Sequence, residues 1–274
     1  MNSNEIMIKL ALDKGGDWAA IYAAIKNREP IDVSGDLVLP PACAGWRPIT
    51  ILDPDYPEGL KKSAMRPPFV IWAKGDPEAL RRDTLLVVGS GRPHAPDKTA
   101  EDFAGELEAS GLPILLLWHS VKGKGESEIY LDRLAKRASA QPAGERIPVS
   151  VLIPASVAPK DANRIAAAAA KTGGCAITER IPGAPARVDP SAGRLGAALC
   201  KAAVVTGGKR NGGVAIDAAW IASTGWGRVG ALAHDPSDPN GELCLDLLRN
   251  GAAMIADADD LKTLMEGVDM RGAA

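Results

Sequence analysis

Aromatic side chains are scarce: six Trp, three Tyr and two Phe make up 4% of the 274 residues. So low a share argues against an aromatic-rich β-sandwich and against a platform of rings on which bases would stack. Histidine is rarer still, at three, and the four cysteines, Cys43, Cys175, Cys200 and Cys244, lie far apart with no CxxC pair. That usage speaks against a zinc site and for buried, reduced thiols in a reducing compartment. No apolar run reaches membrane-spanning length, and the start, MNSNEIMIKLALDKGGD, lacks the basic end and apolar run of a secretion signal. The expectation is a cytoplasmic protein. Strong charge of either sign is missing too. With a net charge of −2, a broad basic surface for a polyanion is not expected, and any phosphate must be held by a local cluster.

What is present is aliphatic: hydrophobic residues reach 46%, and Ala, Val, Leu and Ile must fill the core. Two short helical patterns open the chain, Glu5 to Leu12 and Asp17 to Ile25, with Asp17 as an N-cap. Pro30 and Pro40-Pro41 then break it. Residues 1–48 read as a helical N-terminal extension and linker. Residues 49–82 read as a lead-in segment in which Phe69 to Trp72 form a short strand. From 83 to 270 the pattern alternates. Strands are predicted at 85–88, 114–118, 149–153, 175–178, 202–206 and 229–233, with helices at 97–109, 126–138, 160–171, 191–200, 213–223 and 240–249. Short apolar runs separated by helices build a mostly parallel sheet covered on both faces, a doubly wound α/β fold of Rossmann-like type.

Three segments carry candidate chemistry. The first runs Leu85 to Val88 and then straight into Gly89-Ser90-Gly91-Arg92. Glycines at a strand end turn the backbone sharply and aim N–H groups outward, the following helix adds its own free amides, and Arg92 can fork onto a phosphate. The loop is not a P-loop, and it lacks the third glycine of the dinucleotide fingerprint. The bland alternative is a tight turn with a solvated Arg92. The second is Thr206-Gly207-Gly208-Lys209-Arg210-Asn211-Gly212-Gly213, again between strand and helix, with Lys209 and Arg210 as charge and Asn211 and Gly212 in the turn. Its alternative is a surface loop with solvated charges. The third, Thr178-Glu179-Arg180-Ile181-Pro182-Gly183, leads to Arg187 and Arg194, and Arg194 is expected to face the crevice. Glycine loops at the carboxyl ends of strands form the ligand crevice of open α/β sheets, so the turns at Arg92 and Lys209 should converge on one rim. His94, His119 and His234 sit in no nucleophile–base pattern and read as capping or solvated residues. No catalytic set, metal or cofactor is expected.

The order of segments resembles the DNA-processing protein A family. The residues that carry this are Tyr56-Pro57, Leu60, Pro67-Pro68, Trp72 and Gly75, then Val88-Gly89-Ser90 with Arg92 one place later, then Thr178-Glu179 with Pro182-Gly183. Arg194, Asn211-Gly212 before Val214–Ala222, and Leu247-Leu248 with Gly251-Ala252 continue the order. The first Arg and the Asn of the family's Arg-Asn-Arg segment are absent, and no C-terminal winged helix is expected beyond the Rossmann-like domain. The resemblance implies a non-enzymatic single-stranded DNA-binding protein that pairs as a homodimer and helps load a RecA-type recombinase. In that role Gly89, Ser90, Gly91, Arg92, Arg194, Lys209, Arg210, Asn211 and Gly212 hold phosphate. A second resemblance keeps another reading open. Related Rossmann-like proteins bind nucleotides or cleave nucleoside monophosphates at the N-glycosidic bond, and Gly212-Gly213 with Asp217 is a loose echo of their signature. A degenerate scaffold without catalysis is the third reading.

Overall fold

The computed structural model describes residues 1–31, 34–62, 67–91, 98–119, 125–154, 156–184, 192–223 and 228–267. Its frame is a nine-stranded sheet. In chain order the strands are β1 (Arg47–Thr50), β2 (Val70–Gly75), β3 (Leu85–Val88), β4 (Ile114–Leu117), β5 (Val149–Leu152), β6 (Cys175–Thr178), β7 (Ala202–Val205), β8 (Val229–Leu232) and β9 (Ala253–Ile255). In space they run β1-β2-β6-β5-β4-β3-β7-β8-β9. From β3 to β9 every pairing is parallel, while β1 and β2 add antiparallel to the free side of β6.

Ten helices among the described residues cover it: α1 (Ser3–Asp13), α2 (Trp18–Lys26), α3 (Glu58–Lys62), α4 (Lys98–Ser110), α5 (Glu126–Ala138), α6 (Pro159–Lys171), α7 (Ala192–Leu199), α8 (Gly213–Ala222), α9 (Glu242–Arg249) and α10 (Ala258–Glu266). Strand pleating explains the two layers. Alternate residues point to opposite faces, so Leu85 and Val87 enter one core while Leu86 and Val88 enter the other. The first core takes side chains from α1, α2, α4, α5, α6 and α10, and the second from α3, α7, α8 and α9. Both faces of the central strands are therefore apolar, which is why those strands read as unbroken Leu/Val runs.

The predicted strands and helices between 83 and 249 are all present, with ends shifted by a residue or two. Four elements were not foreseen: β1, α3, β9 and α10. The segments on either side of residue 48 both join the main body. β1 and β2 extend its sheet. Asp17 caps α2 by accepting from the amides of Ala19 and Ala20, and Tyr22 on that helix donates to the Pro67 carbonyl at 3.0 Å.

All four cysteines are buried and free. Burial pushes the Cys43 thiol up, Cys200 to about 11, and Cys175 and Cys244 to about 12. Since the thiolate is the reactive form, a disulfide-exchange reagent at about pH 8 should leave the folded protein unlabelled and titrate all four thiols once urea is added. A thiol that reacts at once in the native state would place that cysteine at the surface.

Candidate functional site

The chain runs outward from β3 through β4 and β5 to β6, then returns to lay β7 on the other side of β3. The strand order reverses there, and β3 and β7 leave a crevice at their carboxyl ends. The turns that leave these two ends lie side by side. The Thr206 amide donates to the Val88 carbonyl at 2.9 Å, and the Glu126 amide at the start of α5 donates to the Ser90 carbonyl at 3.0 Å. Gly89, Ser90 and Gly91 thus share one rim with Thr206, Gly207 and Gly208. Arg92 and His94 lie outside the described residues.

Beneath the rim is a carboxylate that the sequence did not advertise. Glu126 is 3% exposed, yet three donors reach it: Thr206 Oγ1 at 2.5 Å and Tyr130 Oη at 3.2 Å to Oε2, and Asn240 Nδ2 at 2.8 Å to Oε1. A buried charge is tolerated when hydrogen bonds replace its lost water. Burial pushes the Tyr130 phenol well up, with the nearby Glu126 charge adding to it, so the phenol stays a donor. Glu126 also explains both turns. A Cβ on Gly89 would stand 2.5 Å from Glu126 Oε2 and 2.7 Å from Thr206 Oγ1, and one on Gly207 would meet the Asn240 amide and Glu126 Oε1. These two positions are glycine because the carboxylate approaches the backbone too closely for any side chain.

The turn after β7 is clamped from below and open above. The Gly208 amide donates to the Asn240 carbonyl at 2.7 Å, and its own carbonyl accepts from Leu243 at 3.0 Å. Among the described residues no acceptor meets the amides of Lys209, Arg210 or Asn211. Gly212 sits at the N-cap of α8 with no side chain to satisfy the first amides of that helix. Lys209, Arg210 and Asn211 are exposed. The Arg210 guanidinium forms a two-pronged pair with Asp246 on α9, its Nη2 2.7 Å from Oδ1. Open amides, an uncapped helix and cationic side chains form an anion-competent surface.

Arg194 does not face this crevice, contrary to expectation. It is 5% exposed, its Nη2 donates to Glu179 Oε2 at 2.6 Å, and its guanidinium lies 5.5 Å from the Trp18 ring centroid on α2. A helical position alone does not say which face an arginine takes, and this one faces the carboxylate that follows β6. The pair joins two of the segments that carry the family resemblance. Arg187 lies outside the described residues. His119 Nε2, at the end of β4, lies 3.0 Å from Asp217 Oδ2 on α8, and His234 is buried with both ring nitrogens bonded. Neither is a solvated histidine. Asp217 is itself buried, with Gly193 packed against it. No group of His, Cys, Asp or Glu among the described residues can hold a metal ion.

A doubly wound α/β sheet with paired glycine turns at its switch point defines a class of Rossmann-like proteins that hold anionic ligands at that rim. The chain belongs to the DNA recombination-mediator protein A family, whose model matches residues 47–266. It is similar to DNA processing protein A from Streptococcus pneumoniae, with a TM-score of 0.67 at 21% identity over 95% of this chain and 93% of that one. It is also similar to DNA processing protein A from Helicobacter pylori, a structure concerned with that protein's single-stranded DNA binding mode, with a TM-score of 0.59 at 17% identity over 81% of this chain and 96% of that one. No curated protein matches.

Proposed function

We propose that this protein binds single-stranded DNA as a recombination mediator and grips the strand's phosphates at the β3–β7 rim. Family membership and the single-stranded DNA binding of the Helicobacter relative support the ligand. One observation carries the site: two glycine turns from strands far apart in sequence meet at the switch point, with open amides beside them. In this reading Gly89, Ser90, Gly91, Gly212 and Asn211 present backbone and amide donors, and Arg92, Lys209 and Arg210 supply charge. Arg194 is left out of the contact set and acts inside the fold. Loading of a RecA-type recombinase, pairing of two copies and action in the cytoplasm belong to the same proposal. No catalytic step is part of it.

A net charge of −2 sets the expected strength. Few phosphates can be neutralised, so the salt dependence should be shallow. For single strands the slope of log K against log salt is about −0.7 per phosphate contacted. Two or three contacts give roughly −1.5 to −2. Lys209→Ala should flatten the slope by about 0.7 and weaken binding to oligo-dT alike at every sequence tested. A wild-type slope near zero, or no binding to oligo-dT at low salt, removes the reading.

A further inference from the structure

Five residues from three segments close a ring of hydrogen bonds around the Gly207 turn. Thr206 Oγ1 donates to Glu126 Oε2 at 2.5 Å, and Glu126 Oε1 accepts from Asn240 Nδ2 at 2.8 Å. The Asn240 backbone N–H donates to Asp238 Oδ1 at 2.8 Å, and Asp238 Oδ2 lies 2.8 Å from His234 Nδ1. His234 Nε2 then lies 2.7 Å from the Thr206 carbonyl oxygen, where the ring began. The His234 side chain is 2% exposed.

The two partners of the imidazole fix its orientation. A peptide carbonyl only accepts, so the Thr206 carbonyl takes a proton-bearing Nε2, and Nδ1 is turned to Asp238. Asp235, the next residue along, is turned to Ser237 and fully exposed.

We propose that His234, through its Nε2–H, is the positioning residue of the phosphate-gripping turn. This rests on the reading of the rim as a phosphate site. The physical step is the planar trans peptide, whose C=O and N–H point in opposite directions. His234 draws the Thr206 carbonyl toward the β8 side of β7. The Gly207 N–H is therefore aimed the other way, toward β3 and the Gly89 turn. Asn240 and Leu243 fix the next peptide from the same loop, through Gly208. The β8–α9 loop thus sets the direction of the amides without itself touching a ligand.

The test uses the full chain, with ¹⁵N-detected imidazole spectra, Gly207 and Gly208 amide shifts, and fluorescence anisotropy with oligo-dT. In the wild type, the His234 Nε2 should give a protonated signal. His234→Leu should shift both glycine amides and weaken oligo-dT binding by about tenfold, the loss of one hydrogen bond. His234→Gln places an amide donor near the Nε2 position and should recover most of that loss. An unprotonated Nε2 in the wild type overturns the proposal, as does wild-type binding by His234→Leu. Equal loss in Leu and Gln variants also overturns it, because the donor would then not matter. If His234→Leu fails to fold, the wild-type spectrum and His234→Gln still decide. If the wild type itself ignores oligo-dT, the phosphate reading fails and takes the ligand role with it, while the nitrogen and amide signals still decide whether His234 sets the turn.

Discussion

Gly89→Ala should abolish oligo-dT binding and lower stability by about 1–3 kcal/mol, the range for overpacking a tight interior. The added methyl would lie 2.5 Å from Glu126 Oε2 and 2.7 Å from Thr206 Oγ1. A flexible side chain would swing aside, but Glu126 is held by Thr206, Tyr130 and Asn240 together. The backbone must move instead, and it carries Ser90 and Gly91 with it. Both glycine turns are then disturbed, because Thr206 begins the second. Affinity should fall by more than the stability loss alone explains, so oligo-dT binding is compared at a temperature where both proteins are fully folded. Gly144→Ala, where a Cβ meets nothing within 4 Å, is the control for a general glycine effect. Near-wild-type binding by Gly89→Ala would mean that the Glu126 contact does not shape the rim.

The sheet was legible because it is driven by one kind of signal. Runs such as Leu85–Val88 and Ile114–Leu117 are apolar on both faces, and each is punctuated by glycine or proline before the next helix. β9 lacked that signal: at the sheet edge, with Met254 59% exposed, it needs no continuous apolar run. β1 was hidden for the same reason, being an edge strand of four residues that begins with an exposed Arg47 and a proline. At the site, strand ends and glycines pointed to the rim, since turn chemistry is local. Glu126 was not legible as a buried partner. It stands at the first helical position of α5, where an acidic residue is ordinary capping chemistry, and only the fold brings Thr206, 80 residues away in sequence, against it. His234 and His119 were read as capping or solvated for want of any pattern, and their carboxylate partners, Asp238 and Asp217, gave no nucleophile–base spacing.

Arg194 shows the same limit and gives the second large effect. Counting arginines near a predicted crevice assigned it to phosphate, whereas the structure gives it to Glu179, with both side chains under a tenth exposed. Removing one partner of a buried ion pair costs about 3–5 kcal/mol. Arg194→Ala should therefore be among the most destabilising single changes in the chain, read as a lower urea midpoint with unchanged slope. Part of the loss should appear as loosening of α2, because the guanidinium also lies over Trp18. Removing both charges, Arg194→Met with Glu179→Leu, replaces the buried pair by apolar side chains and should return part of the stability. The two assignments of Arg194 then separate cleanly. As an internal tie, it lowers oligo-dT affinity only as far as it lowers the folded fraction, and the double variant binds. As a phosphate ligand, it would leave the urea midpoint nearly unmoved and cost affinity in the double variant as much as in the single one.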